Sequence, residues 1–309
     1  VTEKLNTPIY IIAVSGGVDS AVLTHKLLKG EYTNSLSEGA RFVIAHVNHG
    51  IRDDSSLDQQ FVRELAKDYD CSFETIDLNL GPDASEEQAR VARYAFLEEV
   101  RVKHRALAII TAHHQDDVIE TAVHNLLRGT NHRGLTSLKS IPLVQRPMLG
   151  LTKAEIVQYA QANNLAWHED STNSDERYTR NRIRHSILSK AQDEWKKDFG
   201  AIVQKQHTNG ALIDKEIASI LNYHLKGTYR MSRKLICKLD HLLACELVYA
   251  LLVKACITGI DKSLVESVVL HAKVARPGRK LDLDKNTYAL VTKRSLRLIN
   301  RNSGKTRNV

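Results

Sequence analysis

The chain has 309 residues, with 44 Lys and Arg against 36 Asp and Glu for a formal net charge of +8, and it is 42% hydrophobic and 26% charged. That balance excludes an intrinsically disordered chain and describes a soluble folded one with room for two domains, while no stretch approaches the ~18–20 apolar residues of a membrane helix. The basic excess permits a polyanionic partner. The four scattered cysteines, with no CxxC, fit neither a disulfide framework nor a zinc site.

Residues 1 to about 115 alternate between two periods. IYIIAV (9–14), RFVIAHVNH (41–49), SFETIDLN (72–79) and LAIITAHH (107–114) are short, Ile- and Val-rich and strand-like. Helical spacing lies between them: Val22, Leu23, Lys26 and Leu27; then Phe61, Val62, Leu65 and Ala66; then Val91, Tyr94, Ala95 and Glu98. The third helix opens with a capping box of Ser85 and Gln88. This alternation predicts a Rossmann-like α/β domain, a parallel sheet with helices on both faces and its site at the carboxyl edge of the strands.

A turn-rich stretch over 128–150 follows, then a helix in TKAEIVQYAQANN with a box of Thr152 and Glu155. Residues 169–188 are polar at first and basic at their end. From about 192 the pattern is helical, softly broken at Gly200 and Gly210, with two more helices over 240–257 and 262–273. The tail alternates as a small meander with DKN as a turn. The expected division is a catalytic domain over 1–200 and a smaller, mainly helical domain over 201–309. The opening VTEKLNTPIY lacks the basic start and apolar core of a signal peptide, so the expected location is cytoplasmic.

Three motifs carry chemistry. In SGGVDS, Gly16 and Gly17 allow backbone amides to approach an anion, Ser15 and Ser20 add hydroxyls, and the helix from Val18 directs its N-terminal amides to the same place. Asp19 is an acid where phosphate would sit; a plain βα turn with Asp19 as a cap is the competing explanation. In HHQDDVIET, Asp117 and Glu120 lie i, i+3 on one helical face, suited to a cationic ligand or a metal, or else to the helix dipole alone. A zinc site from His46, His49, His113 and His114 is the weaker reading, since no HExxH exists. In EDSTNSDERYTRNRIR, Arg180 and Arg184 are i, i+4, with Asn181 beside them, and could reach one phosphate or base.

SGGVDS resembles the PP-loop of ATP pyrophosphatases, which cleave ATP between the α- and β-phosphates. The resemblance implies ATP and Mg²⁺ as cofactors, with Ser15, Gly16, Gly17, Val18, Asp19 and Ser20 on the nucleotide and Asp19 on the metal. It places the nucleoside end near His46 and Asn48 in AHVNHGIR. Over about residues 9–190, SGGVDS, HVNHGIR, ARVARYAFL, HHQDDVIET, RG, RP and D-S-x-N…RNRIR occur in the order of the tRNA(Ile)-lysidine synthetase family. That resemblance implies adenylation of the wobble cytidine of the tRNA(Ile) with anticodon CAU, then attack by free L-lysine to give lysidine, AMP and pyrophosphate. Its catalytic residues would be Asp19, Asp117, Glu120 and Arg93. Arg90, Arg93, Asp117, Glu120, Arg180, Asn181 and Arg184 would bind substrate. Arg90 and Arg93 lie three apart on the third helix, within reach of the α-phosphate or the tRNA, or equally plain surface charge. A homodimer is allowed for, and no membrane partner is expected. The basic residues of the second domain and tail, from Arg230 and Arg233 to Arg307, would hold the tRNA body. Rival readings are another PP-loop tRNA-modifying enzyme such as a tRNA thiolase, a glutamine-dependent amidating synthetase, and a catalytically silent tRNA-binding protein.

Overall fold

The structure is a computed structural model that describes residues 7–32, 36–37, 39–48, 50, 55–78, 80–81, 85–129, 132–168, 182–225 and 229–301. The chain divides into two compact units, Val1–His207 and Thr208–Val309.

In the first unit, β1 (Ile9–Ala13), β2 (Arg41–Asn48), β3 (Ser72–Asp77), β4 (Ala108–Ile110) and β5 (Val144–Gln145) form one parallel sheet in the order β3-β2-β1-β4-β5. The four runs read as strands are all there. β5 lies in the stretch expected to be turns; it is two residues long, too short to show a period. Helices cover both faces. Val22, Leu23 and Leu27 of α1 (Val18–Leu28), Val62 and Ala66 of α2 (Ser55–Asp68), and Ile156 and Ala160 of α6 (Lys153–Ala162) pack with Tyr10, Ile12, Ile44 and Ile110. Phe96, Leu97 and Val100 of α3 (Glu86–Lys103) pack with Ile11, Val43, Ala45 and Ile109 on the opposite face. Alternate strand residues thus feed two cores, as a sheet buried on both sides requires.

The expected capping boxes close: Ser85 Oγ accepts from the Gln88 N–H, and Thr152 Oγ1 from the Glu155 N–H. α4 (Gln115–Leu127) follows β4, and the short α5 (His132–Leu135) follows it. α6 is fastened to α1 by His25, whose Nδ1 lies 3.0 Å from Tyr159 Oη, and by the Lys26 ammonium 3.9 Å from the Tyr159 ring centroid. Burial holds the His25 pKa below its ordinary value. A π-helical turn, Arg184–Leu188, precedes α7 (Asp193–Leu225). That helix runs unbroken through Gly200 and Gly210, against the soft breaks expected there. Gly200 is buried under α4, where an added Cβ would lie 3.2 Å from Gln115 Nε2 and 3.8 Å from Ile119 Cδ1, so packing offsets its weak helix propensity.

The second unit packs α9 (His241–Lys254) and α10 (Lys262–Val274) with an antiparallel sheet in the order β6-β9-β8-β7. Its strands are β6 (Arg230–Ser232), β7 (Lys280–Asp282), β8 (Thr287–Val291) and β9 (Ser295–Asn300), and α8 (Arg233–Lys238) follows β6. The DKN turn is set by Asp284 Oδ1, which accepts the Asn286 and Thr287 N–H groups at 2.7 Å each. Arg233, expected among the tRNA-facing residues, instead donates to the carbonyls of Ala272, Lys273 and Ala275 and closes the end of α10.

Candidate active site

Because the first sheet is parallel, the segments after β1, β2 and β4 all leave its carboxyl edge. The glycine loop is built by its φ angles: Gly16 adopts φ +99°, a region that L side chains avoid, while a Cβ there would meet nothing closer than 3.7 Å. Backbone conformation therefore demands this glycine, not crowding. Ser20 Oγ accepts from the N–H groups of Ser15 at 3.2 Å and Gly16 at 3.3 Å, and donates to the Gly17 carbonyl at 2.9 Å. Those two long bonds to a neutral hydroxyl are weak beside what an anionic oxygen offers the same amides. The His168 N–H donates to the Gly16 carbonyl at 3.0 Å, and its ring stacks on Phe61 of α2, so the far side of the loop is braced.

Asp19, in the first turn of α1, makes no cap; Gly17 is the N-cap and has no side chain to offer. Its Oδ1 instead meets Lys153 Nζ at 2.6 Å and His114 Nε2 at 3.7 Å. His114 is the N-cap of α4 and is buried, with Nε2 3.6 Å from Asp117 Oδ2 as well. The histidine thus stands between the loop acid and the helix acid. Asp116 is a strut: its Oδ1 accepts the Lys153 N–H at 3.0 Å and ties α4 to α6.

Asp117 and Glu120 both face a cation of the protein itself, Arg184. Its Nη2 lies 2.7 Å from Glu120 Oε2 and 3.8 Å from Asp117 Oδ1, and its Nε donates to the same Glu120 oxygen at 3.1 Å. Glu120 is only 3% exposed, and a carboxylate buried that deeply needs such a counter-charge. The dipole-and-cap alternative also holds for Asp117, because its Oδ2 accepts the His114 N–H at 2.9 Å. Arg180 and Asn181 lie outside the described residues, as does His49.

On α3, the Arg90 and Arg93 guanidiniums sit 5.1 and 5.5 Å from the Tyr94 ring centroid. Arg146 of the RP motif donates to Tyr94 Oη at 3.4 Å and is buried, so sequence reasoning missed it as a member of this basic group. His46 is buried at the end of β2 with Nδ1 2.9 Å from the Val14 carbonyl, and burial pushes its pKa below the ordinary value. With Nδ1–H committed to that carbonyl, neutral His46 keeps Nε2 as a buried acceptor with no hydrogen-bond partner among the described residues. Asn48 is committed locally, donating to Asp77 Oδ1 and accepting the Gly50 N–H, each at 2.9 Å.

Mg²⁺ fits this donor set. Asp19 offers a hard carboxylate oxygen already turned toward a cation, beside loop amides that suit phosphate. Among the described residues no three His, Cys, Asp or Glu gather as a metal cage. A magnesium ion takes one or two carboxylates and completes its shell with phosphate and water, so a cage is not required.

Residues 1–191 match the PP-loop domain family, and the chain belongs to it. Among curated relatives, the chain is 34% identical over 187 residues to the tRNA(Ile)-lysidine synthase of Solibacter usitatus, covering 60% of this chain and 41% of that protein. It is 37% identical over 186 residues to the tRNA(Ile)-lysidine synthase of Thermotoga maritima, covering 58% of this chain and 44% of that protein. The match therefore spans less than half the length of either relative. Of solved structures, the U34-tRNA thiolase NcsA of Methanococcus maripaludis, with its [4Fe-4S] cluster, shares the fold at TM-score 0.50 and 19% identity, over 66% of this chain and 73% of that one. Among the described residues, no helix is long and apolar enough to cross a membrane.

Proposed function

We propose that the protein joins free L-lysine to C2 of the wobble cytidine of the tRNA(Ile) with anticodon CAU, using ATP and Mg²⁺. The observation that carries this reading is the meeting, at one sheet edge, of an anion-binding loop with an acidic pair already holding a guanidinium. One half suits a polyphosphate and the other an alkylammonium.

In the first half-reaction, cytidine O2 bonds to the α-phosphorus as the bond to pyrophosphate breaks. The amides of Ser15, Gly16 and Gly17, the Ser20 hydroxyl and the α1 N-terminus bind the departing pyrophosphate. Asp19 would hold Mg²⁺, which when bound would supply charge neutralisation there. Neutral His46 offers its Nε2 as an acceptor toward the nucleoside end, and Arg90 and Arg93 supply positive charge for the α-phosphate or the RNA. In the second, the ε-amine of lysine bonds to C2, the C2–O2 bond breaks and AMP leaves. Asp117 and Glu120 seat the ε-ammonium and accept the proton it must lose before attack. Arg184, with Arg180 and Asn181, then faces the anticodon loop.

The thiolase reading has less support. Of the four cysteines only Cys71 falls before residue 208, and burial pushes its thiol pKa up, away from the thiolate that sulfur or cluster chemistry uses. The deciding experiment is incorporation of labelled lysine into a CAU-anticodon tRNA(Ile) transcript with Mg²⁺, with and without ATP. Label that depends on ATP supports the proposal; pyrophosphate release without label would point to another nucleophile.

A further inference from the structure

We propose that Lys153 is a ligand of the nucleotide's β- and γ-phosphates, parked on Asp19 until a metal ion takes that oxygen. The proposal rests on Asp19 being the metal-holding carboxylate.

The ion pair joins residues 134 apart in sequence, with 2.6 Å between Lys153 Nζ and Asp19 Oδ1. Both side chains are partly exposed, 43% for Lys153 and 31% for Asp19. An ion pair so open to water adds little to stability, so holding the fold together does not account for its placement. The lysine is nevertheless held in place from behind. It is the first residue of α6, behind the Thr152 cap; its N–H is bound by Asp116 Oδ1 at 3.0 Å, and the His25–Tyr159 contact fastens α6 to α1. The backbone is fixed at the start of α6, and a flexible four-carbon stem carries the ammonium to Asp19, in the first turn of α1 after the glycine loop.

A magnesium ion on Asp19 competes with the Lys153 ammonium for the charge of the same carboxylate. A magnesium ion sits about 2.0–2.1 Å from a carboxylate oxygen, and an ammonium on the same oxygen would face it as a like charge in a partly screened site. Metal loading therefore releases Lys153, and the anion within reach of its stem is the polyphosphate that arrives with the metal. A compact ammonium with three donors suits that role, since it can contact oxygens of two phosphates without a fixed geometry. The exchange also keeps Asp19 neutralised in the empty loop, so an acid can remain beside a phosphate seat.

The test is calorimetric titration of the full chain with Mg²⁺ and no tRNA, using α,β-methylene-ATP, inorganic pyrophosphate and AMP as separate probes. Lys153→Met should bind the analogue and pyrophosphate roughly tenfold to hundredfold more weakly, the scale of a lost charged hydrogen bond. Its affinity for AMP should be unchanged, Lys153→Arg should recover most of the loss, and the ligand-free melting temperature should match wild type. Wild-type pyrophosphate affinity in Lys153→Met, or an equal loss for AMP, would overturn the proposal. Asp19→Asn reports on the underlying reading separately: if its binding keeps the wild-type Mg²⁺ requirement, Asp19 is not the metal carboxylate and the exchange falls with it.

Discussion

Asp117 has two tasks, and a conservative change separates them. One oxygen caps α4 through the His114 N–H, and the other faces the cation seat shared with Glu120. Asp117→Asn keeps an acceptor for the cap and removes the charge. Stability should therefore hold while lysine transfer falls by roughly 10²-fold or more, the usual worth of a positioned acid or base. Pyrophosphate release driven by tRNA should persist in the same variant. Parallel loss of both half-reactions would reassign Asp117 to the nucleotide. His46 gives a second residue-scale expectation. Burial holds its pKa, and that of His25, below the usual value. The unfolded chain then binds more protons just below about pH 6.5, so stability is complete above that value and declines as the pH falls through the lowered folded pKa values. His46→Asn keeps a donor for the Val14 carbonyl and cannot titrate, so melting temperatures between pH 7.5 and 5.5 should fall less steeply than in wild type. An identical slope would show that other groups set the acid limit.

At the scale of elements, the two capping boxes allow a controlled comparison. Ser85→Ala at α3 and Thr152→Ala at α6 should each cost about 1 kcal/mol, measured by denaturant melts. Only the second should also weaken ATP binding, because α6 carries Lys153; equal effects on ATP would mean the helix start does not control the lysine. Gly16→Ala, forced to hold φ near +99°, should destabilise by roughly 1–2 kcal/mol and impair pyrophosphate binding with it. What was legible in the sequence follows the same division between local and distant. β1 to β4 and their helices announce themselves through β-branched runs, caps and period, and the glycine loop and the i, i+3 acids are contained within a few residues. β5 is too short for a pattern, and the continuity of α7 through Gly200 depends on Gln115 and Ile119 far upstream. Lys153, His114 between two acids, and Arg146 at Tyr94 could not be assigned either. Each is an ordinary side chain until the topology brings it 52 to 134 residues back along the chain. Lys153–Asp19 spans 134 residues, Arg146–Tyr94 spans 52 and the Lys153–Asp116 bond spans 37, so the site is mostly non-local.

For the whole molecule, a net charge of +8 and the proposed tRNA substrate predict a salt-dependent affinity. If six to ten phosphates are contacted, tRNA binding should weaken by about 10³–10⁵ between 50 and 200 mM salt. A slope near zero in a filter-binding series would remove the phosphate-contact account. Arg233 is already spent on α10, so Arg233→Ala should cost stability before affinity. The ordering of the site along the chain has a consequence during translation. Asp19 leaves the ribosome before Asp117 and Glu120, Lys153 after those, and Arg184 last of the five. At about 5–20 residues per second, the interval from the loop to Arg184 is on the order of ten seconds or more. Throughout it the nascent chain holds an incomplete set of groups, so a half-made polypeptide has no assembled pocket in which to spend nucleotide.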